Sequence, residues 1–375
     1  MSALSVCIIN KDNALRLSKC LGSIKEAFGK HYNDIEIIVT DIGSSDDSVS
    51  TARKYTDKVF LFNWKGDYSA ARNYCIGKAN CDKILSIDSD EYLKFVSDSE
   101  YETLISGINH YPYSRGRILM YSSYYENDRR MEYAERISRV FDRRYFHYKG
   151  KINEELVINK EYISEPDADT VWDVPLRADH DGYRMTMEER QKIANGRRLY
   201  ITSVEVEPQN PYLYYQLGKT EYISKNYKES YEYLVCSLSL LSKGAYKKAN
   251  YLEDDINTLC YSAIKLQKAQ DALGILLLYE GLVPELTESA DFLFVKGLVL
   301  MNCAKFDDAI EVFVSATHLK KAHVIGTNSF MALYNAGVIC EVAGKSESAR
   351  DYYLRCGDYA PALEGLERLK RKDQA

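Results

Sequence analysis

The sequence predicts an α/β domain built on a mostly parallel sheet, followed by an all-α domain of stacked helix pairs. Three observations lead there. Residues 4–95 alternate short β-rich runs with helical stretches, which implies βαβ units and a sheet covered on both faces. From residue 186 onward nearly every segment has helical period. Within that second half a glycine and a small residue recur twelve positions apart. The domains are therefore placed at 1–185 and 186–375, consistent with roughly 150 residues per domain.

In order, "LSVCIIN", "DIEIIVTD", "KVFLFN" and "KILSID" read as strands bounded by polar or turn residues. Between them "NALRLSKCLGSIKEAFG", "DDSVSTARKY" and "SAARNYCIGKAN" carry helical spacing. Over 96–183 the runs "RGRILMYSSYY", "ERISRVFDRR" and "FHYKGKINEELVI" read as antiparallel strands. "NKEYISEPDADTVWD" is acidic and turn-rich, and reads as a loop or lid.

The repeats follow. Gly218 is matched by Ser230 and Leu234, Gly297 by Ala309 and Phe313, and Gly337 by Ala349 and Tyr353. A weaker copy runs through Leu259, Ala272 and Leu276. Small residues at this spacing let paired helices approach while a large one fills the gap, a pattern that resembles the tetratricopeptide repeat. Stacked pairs of this kind bury a continuous core.

Composition narrows the function. A net charge of −6 supplies no global basic field for phosphates and argues against a nucleic-acid partner. "MSALSVCIIN" has no basic leader and runs straight into a strand, and the apolar run "LGILLLY" is too short to span a bilayer. Nine scattered cysteines without a C-x-x-C pair suggest neither a disulfide framework nor structural zinc. A reducing cytoplasm is expected, and an oligomer is compatible with the composition. The 32 tyrosines suit a surface that grips extended polypeptide.

Ligands of parallel sheets bind beyond the carboxyl ends of the strands, and here each strand ends in polar groups. Strand one delivers Asn10, strand two Asp41, and strand three leads into "NWKGDYSAARN" with Arg72 and Asn73. Strand four ends in "ILSIDSDEYL", where Asp88, Ser89, Asp90 and Glu91 follow a hydrophobic run. Such acids either cap the next element or gather oxygen ligands for a hard divalent cation.

"SVCIINKDNALRLSKCLGSI", "IIVTDIGSSDDSVSTARKY", "NWKGDYSAARNYCIGKA" and "ILSIDSDEYL", in this order, resemble a family 2 nucleotide-sugar glycosyltransferase of the GT-A fold. With the repeats behind them, the chain is similar to the bacterial subgroup that includes the S-glycosyltransferase of the bacteriocin sublancin. The resemblance implies that Asp41 accepts a hydrogen bond from uracil, with Asn10 nearby. Arg72 would lie beside the nucleotide, with Asn73 and Ser89 in the same binding set. Asp90 would ligate Mn²⁺ or Mg²⁺, and Asp88 would hold the ribose or share the metal. "RADHDGY" resembles the family's H-x-G-Y segment and makes His180 a third ligand. "GKINEEL" resembles its G-x-V-H-E-x-P, with Asn153 in place of the His and Leu156 in place of the Pro. It puts Glu154 in the position of a catalytic base, and nothing local separates it from Glu155.

The resemblance thus implies an inverting, metal-dependent transferase. It would move a hexose or N-acetylhexosamine from a UDP-sugar, UDP-glucose or UDP-N-acetylglucosamine, to a Ser, Thr or Cys of a peptide or protein. The repeats would be the acceptor's docking surface. A cell-envelope saccharide or lipid-linked acceptor is the enzymatic alternative. A non-catalytic scaffold with a degenerate transferase domain is the other.

Overall fold

The computed structural model describes residues 3–126, 129–151, 154–159, 170–180, 187–241, 246, 249–320 and 322–373. Contacts divide the chain into two compact units, Met1–Arg184 and Met185–Ala375.

The first unit begins β1 (Leu4–Asn10), α1 (Ala14–Phe28), β2 (Ile35–Asp41), α2 (Ser48–Ala52), β3 (Val59–Leu61), α3 (Tyr68–Gly77) and β4 (Lys83–Asp88). It continues with β5 (Glu91–Leu93), α4 (Asp98–His110), β6 (Ser114–Glu126), β7 (Arg129–Asp142), β8 (Phe146–Lys149), β9 (Glu155–Ile158) and β10 (Thr170–His180). Among the described residues one sheet runs β3-β2-β1-β4-β7-β6-β10-β5, and β8 and β9 form a separate hairpin. The strands β3, β2, β1 and β4 are parallel to one another.

Every residue of β1 is buried, because helices cover both faces of a parallel sheet. Leu4, Val6 and Ile8 pack with Leu17, Leu21 and Ile24 of α1 and with Leu104 and Ile108 of α4. The alternate residues Cys7 and Ile9 pack with Ala71, Cys75 and Ile76 of α3 and with Phe141, Phe146 and Tyr148. The period of two along β1 thus sorts its side chains into two cores.

Over 96–183 the three expected runs are antiparallel, and the stretch adds a strand that the sequence reading did not name, β10. β6 pairs antiparallel with β7, but β10 runs parallel to β6 and antiparallel to β5. It also holds a helix, α4, whose start is fixed by a capping box. Ser97 accepts from the Glu100 amide while the Glu100 carboxylate accepts from the Ser97 amide. The acidic segment 160–169 lies outside the described residues.

The second unit opens with α5 (Met187–Val206) and continues with helix pairs. They are α6 (Pro211–Ile223) with α7 (Tyr227–Leu240), and α8 (Leu252–Lys265) with α9 (Ala269–Leu282). Next come α10 (Ala290–Asn302) with α11 (Phe306–Ala316), α12 (Phe330–Val342) with α13 (Ser346–Arg355), and α14 (Ala360–Asp373). The repeated glycine has a direct steric cause, the large residue that follows it sixteen positions on. A Cβ on Gly218 would sit 2.4 Å from Leu234, one on Gly297 2.5 Å from Phe313, and one on Gly337 2.6 Å from Tyr353. In the pair that lacks the glycine, Leu259, Ala272 and Leu276 are fully buried. This is tetratricopeptide-like packing.

Candidate active site

At the ends of β1 and β2, Asn10 and Asp41 are direct cross-strand partners. Both are buried. The Asp41 carboxylate closes the turn after β2: Oδ1 accepts from the amides of Gly43 at 3.0 Å and Ser44 at 2.8 Å, and Oδ2 from the Ser44 hydroxyl at 2.5 Å. Gly43 has φ +99°, a left-handed conformation that glycine adopts without strain. The Asn10 amide nitrogen reaches Ser44 Oγ at 3.4 Å, while its Oδ1 is buried with no partner. A buried acceptor in that condition costs about 1–3 kcal/mol until a donor arrives. The two loops are laced together, with Asp12 accepting from the Ser45 amide at 2.6 Å and Asp46 from the Ala14 amide at 2.9 Å.

β4 delivers Asp88 beside Ile9 of β1. Here the chain order of the sheet reverses direction, the usual place for a ligand in an open α/β fold. Asp88 Oδ1 accepts from Arg72 at 2.7 Å and Oδ2 from Arg139 at 2.8 Å. Burial alone would push the Asp88 carboxyl up; Arg72 and Arg139 outweigh it and hold the group well below the usual carboxylate range. Arg139 also donates to Glu91, whose other oxygen accepts from the Asp88 amide at 2.9 Å. Burial raises Glu91 against the pull of Arg139. Ser89 is buried and accepts from Asn13 at 3.3 Å.

Arg72 is buried beneath the strand ends. Its three nitrogens are committed to Glu154, to Ser86 at 3.3 Å and to Asp88. The amide of Asn73 grips the backbone of Tyr148, donating to the carbonyl at 2.8 Å and accepting from the amide at 2.9 Å. With both ends of the amide used, it fastens β8 to α3. Asp67 caps α3 by accepting from the Ala70 amide at 2.9 Å. The next residue, Tyr68, donates its amide to the Lys151 carbonyl at 2.8 Å.

Glu154 and Glu155 part company. Glu154 turns inward onto Arg72 with 9% of its side chain exposed, whereas Glu155 begins β9 and is exposed. Burial, aided by Glu154 and Asp88, pushes the Tyr68 phenol up, so it stays protonated beside both. Asn153 lies outside the described residues.

Asp90 Oδ1 lies 3.9 Å from His180 Nε2, with Arg16 3.9 Å from its other oxygen. The His180 Nδ1 sits 3.4 Å from Ser122 Oγ. Among the described residues no group of three or more His, Cys, Asp or Glu is placed to hold a metal. Both Asp88 oxygens are on arginines, while Asp90 and His180 lie side by side. A pair of donors still suits Mg²⁺ or Mn²⁺, because such ions keep waters and take their remaining oxygens from substrate phosphates. The donor set fits a cation carried by a nucleotide rather than a caged one.

Arg139 and Tyr68 were not singled out from the sequence. The signal for Arg139 was an arginine inside the apolar strand run "ISRVF".

Residues 5–158 match the model of glycosyl transferase family 2. The N-terminal unit is a family 2 glycosyltransferase domain. A "TPR repeat-containing protein" of Synechococcus elongatus is 39% identical over 93 residues, 25% of this chain and 22% of that protein. The SPbeta prophage-derived glycosyltransferase SunS of Bacillus subtilis is 24% identical over 299 residues, 78% of this chain and 66% of its own. The chain thus spans less than two thirds of either relative. The solved structure of YrrB, described as a TPR protein with an unusual peptide-binding site, is 19% identical. It covers 48% of this chain and 87% of that one, at a TM-score of 0.38. Among the described residues no helix behind the glycosyltransferase domain, or within it, is long and apolar enough to cross a membrane.

Proposed function

We propose that the chain is an inverting glycosyltransferase that moves a hexose or N-acetylhexosamine from a UDP-sugar to a Ser, Thr or Cys side chain of a peptide or protein. The observation that carries this reading is one guanidinium, Arg72, joining Asp88 at the donor end of the site to Glu154. A base and a leaving-group subsite must lie that close for in-line displacement.

Asn10 and Asp41 receive the uracil, whose imide N–H is a donor and whose carbonyls are acceptors. Asp88 lies where the ribose follows. Asp90 and His180 would hold Mn²⁺ or Mg²⁺, which when bound supplies positive charge to the diphosphate. The bond from the anomeric carbon to the β-phosphate oxygen breaks and UDP departs with that electron pair. The acceptor heteroatom bonds to the anomeric carbon from the opposite face, and its proton passes to Glu154. Arg72 engages Oε1 of that carboxylate, which leaves Oε2 as the proton's destination.

The stacked helix pairs support a polypeptide acceptor, since such arrays offer extended concave surfaces.

The test is UDP binding by calorimetry with and without Mn²⁺, donor hydrolysis across UDP-sugars, and the mass of candidate peptides after incubation. Metal-enhanced UDP affinity, slow hydrolysis of one donor and a hexose-sized mass gain on a peptide are expected. UDP binding that ignores Mn²⁺, with no donor hydrolysed, would sink the reading. Transfer to a saccharide or lipid-linked acceptor alone would move the acceptor class.

A further inference from the structure

We propose that Arg139 is a positioning residue, which holds Asp88 and Glu91 together and so fixes the turn that aims Asp90 at His180. The inference rests on the functional reading above and adds a residue to it.

β7 lies beside β4 in the sheet, with Leu85 opposite Val140. Val140 packs into the core under α1 and α4, and Arg139 is the residue skipped where the register of β7 against β6 shifts, a bulge that re-aims its side chain toward the end of β4. There one terminal nitrogen donates to two carboxylates: Asp88 at 2.8 Å, and Glu91. Glu91 in turn accepts from the Asp88 amide at 2.9 Å. The four residues Asp88–Glu91 are therefore closed at both ends by contacts that meet at one guanidinium. Asp90, third in that turn, has its backbone held between those contacts. β5 starts at Glu91, which pairs in register with His180 of β10. The same turn therefore brings Asp90 alongside the imidazole.

The charges make the arrangement consequential. Arg16, Arg72 and Arg139 face Asp88, Asp90, Glu91 and Glu154. Removing Arg139 takes from Glu91, 4% exposed in its side chain, the guanidinium it contacts. Loss of one partner of a buried ion pair is destabilising, and the turn loses the clamp that joins its two ends. Supports of this kind, one step behind a metal's ligands, change metal affinity by about 10–100-fold when lost.

The test compares wild type, Arg139→Lys, Arg139→Gln, and the double variant Arg139→Gln/Glu91→Gln, which removes the buried charges as a pair and so protects folding. The readout is the factor by which saturating Mn²⁺ raises UDP affinity in calorimetry, with Mn²⁺ binding to the UDP complex followed by electron paramagnetic resonance. A merely structural role lowers the melting temperature and leaves that factor unchanged. A positioning role lowers the factor by about tenfold or more in the folded glutamine variants. Arg139→Lys keeps the charge balance, but its ammonium sits on a shorter stem and lacks the fork; an intermediate loss is expected. A wild-type factor in any folded variant of Arg139 overturns the assignment. A wild-type protein with no Mn²⁺ effect on UDP overturns the functional reading and this proposal with it, an outcome read before any variant is made.

Discussion

Asp90 and His180 are 3.9 Å apart, carboxylate oxygen to imidazole nitrogen, although ninety positions separate them in the chain. The antiparallel pairing of β5 with β10 produces the approach. Replacing either donor should reduce Mn²⁺-dependent donor hydrolysis by about 10²-fold or more, because the diphosphate loses its compensating charge. Asp90→Ala and His180→Ala should keep the wild-type melting temperature within a few degrees. EDTA should silence the wild type. Full activity in chelator would remove both residues from the metal.

Glu154 faces Arg72 and Glu155 faces solvent, so the two should behave differently. Glu154→Gln cannot take the acceptor proton, and turnover should fall about 10²–10⁴-fold with UDP-sugar binding retained. Glu155→Gln should be near normal. A thiol acceptor should suffer less than a hydroxyl, since part of it is already ionised near neutral pH. Steady-state rates of both variants on one acceptor decide the matter; an inactive Glu155→Gln beside an active Glu154→Gln would reverse the roles.

The helix-pair glycines divide by what surrounds them. Gly297→Ala and Gly337→Ala each drive a methyl into an aromatic ring under 3 Å away, and about 1–3 kcal/mol of stability should be lost. Gly274, exposed on α9, has nothing within 4 Å. Gly274→Ala should stabilise by up to about 1 kcal/mol through helix propensity. Urea denaturation of the three variants checks both signs.

Asp255 carries a pH signature. It is fully buried on α8, with Oδ2 accepting from Ser237 at 2.5 Å and Oδ1 unpartnered. Burial, with Asp254 adding to it, pushes its carboxyl well above the usual range despite the Ser237 bond. The folded state therefore holds a proton that the unfolded chain releases above about pH 4. Stability must fall as pH rises from there toward the folded value, by up to about 1.4 kcal/mol per pH unit. Asp255→Asn, which cannot ionise, should flatten that decline between pH 5 and 8. Parallel melting curves for the two proteins would refute the buried proton.

Much of the fold was legible because its determinants are local. The strand runs, the glycine spacing of the repeats and the polar strand ends are all written within short windows. α4 was legible too, in Ser97 and Glu100, yet the tyrosine-rich strands after it dominate that region. The pairing of β10 with β6 was not, since their registry depends on neighbours far along the chain. For the candidate site, the motif words identify the residues and not their partners. Arg72 and Asn73 stand out as polar groups in "SAARNY", but that word does not name Glu154, Asp88 and Tyr148 as their hydrogen-bond partners. Arg139 stayed hidden because a single cation in a strand gives no sign of which face it serves.

The Asn73 grip on Tyr148 has an experimental use. The Tyr148 amide proton is protected by a side chain of α3 rather than by a neighbouring strand. Its exchange with deuterium therefore times the separation of two segments, the helix bearing Arg72 and the hairpin reached just before Glu154. The ring of the same tyrosine lies 5.3 Å from the Arg72 guanidinium, so its resonances sense that charge. One residue thus offers a clock and a field gauge for the same joint, both readable by NMR in the unliganded protein without a known acceptor.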